Sequence, residues 1–320
     1  RSWRSSDTLR WGEKPPLTHT PRRECAMART DTTRWRVLAV LFFARVTMGF
    51  QFQAVAALSP VYAARFDVML GDIGLLIGLY LVPGLAIAYP GGMIGRRFGD
   101  RRSIALGMGL MIAGALVMIA APSWEGQMLG RLLAGTGGVL LNVLMTKLVT
   151  DHFAGREIAT AMGIFVNSWP VGIAAALLAL PSVTALDDPQ AAQWVVAMTV
   201  LAGVALFLAG TRPVGPGASA TVPEAALTGA ALAAVVVAGA MWGLYNGALA
   251  MIFGFGPAML VEKGWSLARA SATTSLVLWL TALSVPLGGV LADWTGRRDR
   301  VMVSGLAGFA GLLLLAPGAE

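Results

Sequence analysis

Three basic residues, Arg45, Arg131 and Lys147, fall inside long apolar stretches, and no Asp or Glu lies well inside any of those stretches. A charge held in hydrocarbon costs at least ~2.5 kcal/mol on insertion scales, so it marks either a function or a satisfied structural group. An arginine keeps its charge at any physiological pH and offers a planar fork of donors, which suits an anion. Arg45 is the deepest of the three, with Gln53 on the same helix. A guanidinium that snorkels to the interface or bonds to backbone carbonyls would account for it equally. Arg131 begins Arg131-Leu-Leu-Ala-Gly135-Thr-Gly137-Gly138, and Gly135, Gly138, Asn142 and Thr146 follow it on one helix face. Such a stripe suits a water-lined path or tight helix contact. Lys147 is near the end of its stretch, where snorkelling suffices. In a later stretch Trp242, Tyr245 and Asn246 put two aromatic rings and an amide near mid-span. Read functionally, these candidates form a substrate-binding set: Arg45, Gln53, Arg131, Asn142, Trp242, Tyr245 and Asn246.

The elements that carry them follow from composition. Only 13% of the 320 residues are charged and 56% are hydrophobic, against roughly 25% charged in soluble domains. Mean hydropathy is +0.69. A soluble enzyme, a disordered chain and a disulfide scaffold are excluded. One cysteine (Cys25) and two histidines leave no Cys/His metal cluster, and nothing calls for a cofactor. The isoelectric point near 10.3 would suggest nucleic acid in a soluble protein, but here the bases flank apolar runs and report topology. His152 beside Asp151 reads as a solvated pair, not as a catalytic one.

Nine stretches are long enough to cross a hydrocarbon core as helices: 37–61, 73–95, 103–121, 127–149, 158–181, 192–211, 231–259, 268–292 and 300–317. None alternates like a barrel strand. Residues 1–35 are polar, basic and proline-containing and read as a disordered segment, with 1–26 upstream of a start at Met27. Arg96, Arg97, Arg101, Arg102, Arg156, Arg212, Arg297, Arg298 and Arg300 gather on one side of this topology. Only Arg65, Lys263 and Arg269 lie on the other. The asymmetry places the N-terminus in the cytoplasm.

A shift of 197 residues superposes Pro90–Arg102 on Leu287–Asp299, matching Gly92 to Gly289, Gly99 to Gly296 and Arg101 to Arg298. Pro60 then meets Pro257, and Arg45 meets Trp242. Duplicated halves with a site between them are a transporter architecture. The division is a six-helix bundle at 36–212, a cytoplasmic linker at 213–230 and a partial second bundle at 231–320 holding helices seven to nine. The repeat stops half-way through its second copy, which reads as C-terminal truncation.

The loop motif resembles the signature G-x-x-x-D-R-x-G-R-R of the major facilitator superfamily, and the resemblance covers the chain from Val37 onward. The second copy reads Gly289-Val-Leu-Ala-Asp293-Trp294-Thr-Gly296-Arg297-Arg298. The first reads Gly92-Met-Ile-Gly-Arg96-Arg97-Phe-Gly99-Asp100-Arg101, with arginine at the acidic position. The resemblance implies an all-α polytopic membrane protein of the major facilitator fold. It also implies a cytoplasmic latch built from Gly92, Arg97, Gly99, Asp100 and Arg101 and from Gly289, Asp293, Gly296, Arg297 and Arg298. A positive-inside loop without a latch is the simpler alternative, above all for the first copy. The runs NSWPVG (167–172) and WGLYNG (242–247) resemble the bacterial branch of cyanate and nitrate/nitrite porters.

The function expected is secondary active transport of a small solute, an organic or inorganic anion, by alternating access. The protein would sit as a monomer in a bacterial inner membrane, with the lipid bilayer, a small-molecule substrate and a coupling ion as partners, and without nucleic acid. A non-transporting sensor or degenerate fragment of the same fold, and a drug-type efflux antiporter, are the alternatives. The lack of buried carboxylates weighs against the antiporter.

Overall fold

The computed structural model describes residues 21–154, 157–184, 189–211 and 229–315, and every element among them is a helix. They are α1 (Pro21–Ala57), α2 (Ser59–Phe66), α3 (Leu70–Leu79), α4 (Gly84–Phe98), α5 (Asp100–Ala120) and α6 (Trp124–Phe153), followed by α7 (Ile158–Thr184), α8 (Pro189–Gly210), α9 (Gly229–Glu262), α10 (Leu267–Thr295) and α11 (Arg298–Leu315). Among the described residues, eight spans are long and apolar enough to cross a membrane. The ninth, α11, is 18 residues long and opens on Arg298, Asp299 and Arg300. Helix α1 begins at Pro21, so residues 21–35 of the segment expected to be disordered are helical. Residues 1–20 and most of the expected linker, 213–228, lie outside the described residues.

Two expected spans are broken helices. The first ends at Ala57 and restarts at Ser59, because Pro60 has no N–H to continue the ladder and suits a first turn instead. The second is interrupted between Leu79 and Gly84, ahead of Pro83. There the Tyr80 N–H turns to the Ile77 carbonyl at 3.3 Å, which releases the Leu76 carbonyl. The two copies of the loop motif share a backbone signature: Gly99 and Gly296 both sit at positive φ, +87° and +63°. Gly99, with ψ 137°, lies in a region that only glycine enters freely, whereas Gly296, with ψ 8°, is a left-handed helix cap that favours glycine.

Helices α1 to α8 pack around a core that includes Leu41, Leu76, Met108, Leu141, Phe165 and Leu177, all essentially inaccessible. Helices α9 and α10 join this group along a seam in which α10 lies on α7 and α9 touches α1. Gly289 fixes the closeness of the first contact, since a Cβ there would stand 2.8 Å from the Ala159 carbonyl oxygen. Helix α9 is otherwise largely exposed among the described residues.

Candidate functional site

The site begins with a proline. Pro170, inside α7, has no N–H for the carbonyl four residues earlier, so the Val166 oxygen lacks its helical donor. Gly49 and Gly172 let α1 and α7 touch at this level: a Cβ on Gly172 would stand 2.2 Å from the Val46 carbonyl oxygen. That approach delivers Arg45 to the break. Its Nη1 donates to the carbonyls of Val166 and Phe165 and to Ser168 Oγ, each at 3.1 Å, and its Nε donates to Asn142 Oδ1 at 2.9 Å. The guanidinium carbon lies 4.8 Å from the centre of the Phe165 ring. Nη2 makes no hydrogen bond to the protein among the described residues, and the side chain keeps 7% exposure. Half of the fork is therefore anchored and half is available.

Arg131 is a contrast. It is 0% exposed, and each of its nitrogens meets a carbonyl: Nε donates to Leu76 at 3.2 Å, Nη1 to Gln51 at 2.9 Å, and Nη2 to Phe52. The rings of Tyr80 and Phe52 cover it at 4.7 and 5.6 Å. This guanidinium ties α6 to α1 and to the carbonyl released at the α3–α4 break, with no room for a solute. Gly135 and Gly138 pack on Tyr80, and Thr146 Oγ1 bonds back to the Asn142 carbonyl. The stripe on α6 thus makes tight helix contacts, and Asn142 is the member that reaches Arg45.

Gln53 is fully buried at the seam and donates through Nε2 to the Phe253 carbonyl at 2.8 Å. Asn167 donates to the Ala282 carbonyl of α10. Trp242, Tyr245 and Asn246 do not join Arg45. The two rings are 56% and 48% exposed, and the Asn246 amide folds back onto the Trp242 carbonyl at 2.8 Å. Helix α9 meets the first six spans only near Phe253, so its mid-span aromatics have no packed surface before them among the described residues.

The two motif copies behave differently. In the second, Asp293 Oδ2 accepts from the Thr160 N–H and from Thr160 Oγ1, both at 2.8 Å. Thr160 lies in the first turn of α7, where N–H groups lack helical acceptors and a negative charge is favoured. Arg297 is exposed; with Asp299 and Arg300 it lines an open polar recess, and the Arg298 side chain lies outside the described residues. In the first copy the described contacts of Asp100 and Arg101 go to α6 and to the end of α8. Asp100 pairs with Lys147 at 2.7 Å, and Arg101 donates to the Leu208 carbonyl at 2.9 Å and to Thr211 Oγ1 at 3.2 Å. Arg97 lies over the Phe98 ring. Gly92 faces open space, whereas Gly95, outside the expected set, packs on Leu144 and Asp100. Lys147, given no role from sequence, is the partner of Asp100 and lies 3.4 Å from Asp151. Ser168, Thr160 and Gln51 were not among the expected site residues either. The signal for Ser168 was its place two residues before Pro170.

Replacing Asp293 with alanine removes two hydrogen bonds to a charged acceptor, worth roughly 1.5–3 kcal/mol each before compensation by water. The variant is expected to raise the rate at which a thiol at Ala159→Cys is labelled by about tenfold, while Asp100→Ala leaves that rate unchanged.

The chain matches the model of the Major Facilitator Superfamily over residues 41–319. It is 28% identical over 136 residues to the inner membrane transport protein YajR of Escherichia coli, a match covering 42% of this chain and 30% of that protein. It is 29% identical over 150 residues to the probable polyol transporter 4 of Arabidopsis thaliana, covering 44% and 28%. These matches span less than a third of either relative. Among solved structures the D-xylose-proton symporter aligns with a TM-score of 0.61 at 13% identity, covering 81% of this chain and 69% of the symporter. A structure of proton-dependent oligopeptide transporters aligns at 0.51 and 15% identity, covering 88% and 54%. Both show a shared fold. With eight apolar membrane-length helices among its described residues, a duplicated glycine-turn motif and this match over nearly its whole length, the chain belongs to the Major Facilitator Superfamily.

Proposed function

We propose that the protein is a secondary transporter that moves a small anion between its two groups of helices by alternating access, without enzymatic chemistry. The observation that carries the anion is Arg45: a buried cation, anchored through Nε and Nη1, whose Nη2 has no protein acceptor among the described residues. A guanidinium already held in place loses little conformational entropy on binding. The spans carry no carboxylate in their interiors to compete for it. Asn142 orients the group, whereas Arg131 is left out of the binding set because its donors are spent on carbonyls. The N-terminus lies in the cytoplasm, and the division runs through 213–230, as the base asymmetry and the repeat suggest. Coupling to an ion belongs to the same proposal. The cyanate and nitrate/nitrite branch supplies the probe.

Nitrate and xylose uptake into proteoliposomes tests this reading. Saturable nitrate uptake that xylose does not compete for is the expected result; uptake of xylose alone overturns the anion. A neutral polyhydroxy solute is the second reading, because a relative at 29% identity is named a polyol transporter. Topology has its own test. Thiols at Arg101→Cys and Arg297→Cys are expected to react with an impermeant reagent from the same side of the membrane, and opposite sides would overturn the nine-span topology.

A further inference from the structure

Two helices beyond the first six spans contain an internal proline, and each has one carbonyl deprived of its helical donor. Pro257 leaves the Phe253 oxygen without a partner in α9, and Pro286 leaves the Ala282 oxygen without one in α10. Each of these two carbonyls receives a side-chain amide from across the seam: Gln53 on Phe253 at 2.8 Å, and Asn167 on Ala282. Both amides are buried, at 0% and 5% exposure, and in both the oxygen, Gln53 Oε1 and Asn167 Oδ1, has no hydrogen-bond partner among the described residues. The amides are thus committed through their nitrogens alone.

Their depths differ. Asn167 is ten residues along from Glu157, which pairs with Arg34, and Gln53 is nineteen residues along from Arg34. By helical rise these are about 15 Å and about 28 Å from the end of the seam where Asp293 holds Thr160. A carboxylate thus closes one end, one amide lies near mid-depth, and the other lies toward the far end.

We infer that Gln53 and Asn167 are seam pins, gating residues that hold the two groups of helices together by capping proline-orphaned carbonyls, with Gln53 the far-end counterpart of Asp293. A carbonyl inside an unbroken helix already has a donor and gains little from a second. An orphaned carbonyl in a dry seam needs one, and an opened seam lets water supply it. The bond therefore favours the closed seam over the open one. This role rests on the alternating-access reading only for its use in transport; the pinning itself concerns an opening that needs no solute.

The test reads opening directly, in the full 320-residue chain in nanodiscs with Cys25→Ser as background. A thiol at Phe255→Cys reports the far end, where the Phe255 ring approaches Gly74 across the seam, and one at Val285→Cys reports mid-depth, where α10 meets Gly163. Gln53→Leu is expected to speed maleimide labelling at Phe255→Cys by at least about fivefold, and Asn167→Leu to do the same at Val285→Cys. The deciding arm restores the helical donor. With Pro257→Ala the Gln53→Leu effect is expected to fall below about twofold, and with Pro286→Ala the Asn167→Leu effect likewise. An unchanged labelling rate, or an acceleration that persists in the proline-to-alanine background, overturns the proposal. Circular dichroism confirms that each variant is folded before its rate is counted. Loss of nitrate uptake with intact labelling differences would refute the transport reading and leave the pins standing.

Discussion

Arg45→Gln is expected to weaken nitrate binding by at least about 100-fold, read as quenching of intrinsic tryptophan fluorescence during a nitrate titration. The magnitude follows from the loss of a charged donor: hydrogen bonds to charged groups contribute roughly 1.5–3 kcal/mol each, and Nη2 offers two N–H groups. The glutamine amide nitrogen ends where the arginine Nε does, within reach of Asn142 Oδ1, and carries no charge to desolvate, so the protein is expected to remain folded. Arg45→Lys keeps the charge and loses the fork. Its single nitrogen must choose between Asn142, the carbonyls near Pro170 and the anion, so binding is expected to fall about tenfold and not to vanish. Equal nitrate affinity in wild type and Arg45→Gln would make Arg45 a helix tie like Arg131, and the anion would lose its main support.

The helices are legible in the sequence because apolar length is a local property. Each of the nine expected stretches overlaps a helix, and the glycine corners at Gly99 and Gly296 could be found from the repeat alone. The charged candidates are legible too, but not their ranking. Arg45 and Arg131 are both single bases among apolar neighbours, and what separates them is the set of carbonyls that faces each one. Those carbonyls come from breaks and contacts in other helices: Pro170 for Arg45, and the Tyr80 turn ahead of Pro83 for Arg131. A proline reveals which carbonyl of its own helix is bare, four residues back, but not which distant side chain will reach it. For the same reason WGLYNG looked like a binding wall from composition, while its rings are exposed on a helix face that nothing described covers. The contact made by the second motif copy was half legible. Asp293 could be identified from its motif, whereas Thr160 could not, because its role depends on where α7 begins relative to α10.

The sealed arginine carries the largest expected effect on stability. Arg131→Leu leaves the Leu76 carbonyl bare inside the core, where an unsatisfied acceptor costs roughly 1–3 kcal/mol. The Gln51 and Phe52 carbonyls lie within α1 and keep their helical donors, so they lose second bonds only. Leucine is also shorter and leaves a void between the Tyr80 and Phe52 rings, whose lining loses its contacts. Together these give about 3 kcal/mol or more, and the thermal midpoint in detergent is expected to drop by about 6–12 °C. Arg131→Lys can reach one carbonyl but not three, and is expected to recover less than half of that loss. Neither variant is expected to change nitrate affinity at a temperature where it remains folded, because no donor of Arg131 is open to a solute. The opposite pattern, an unchanged midpoint with lost nitrate binding, would exchange the roles of the two arginines and place the binding site on the α6 side of α1.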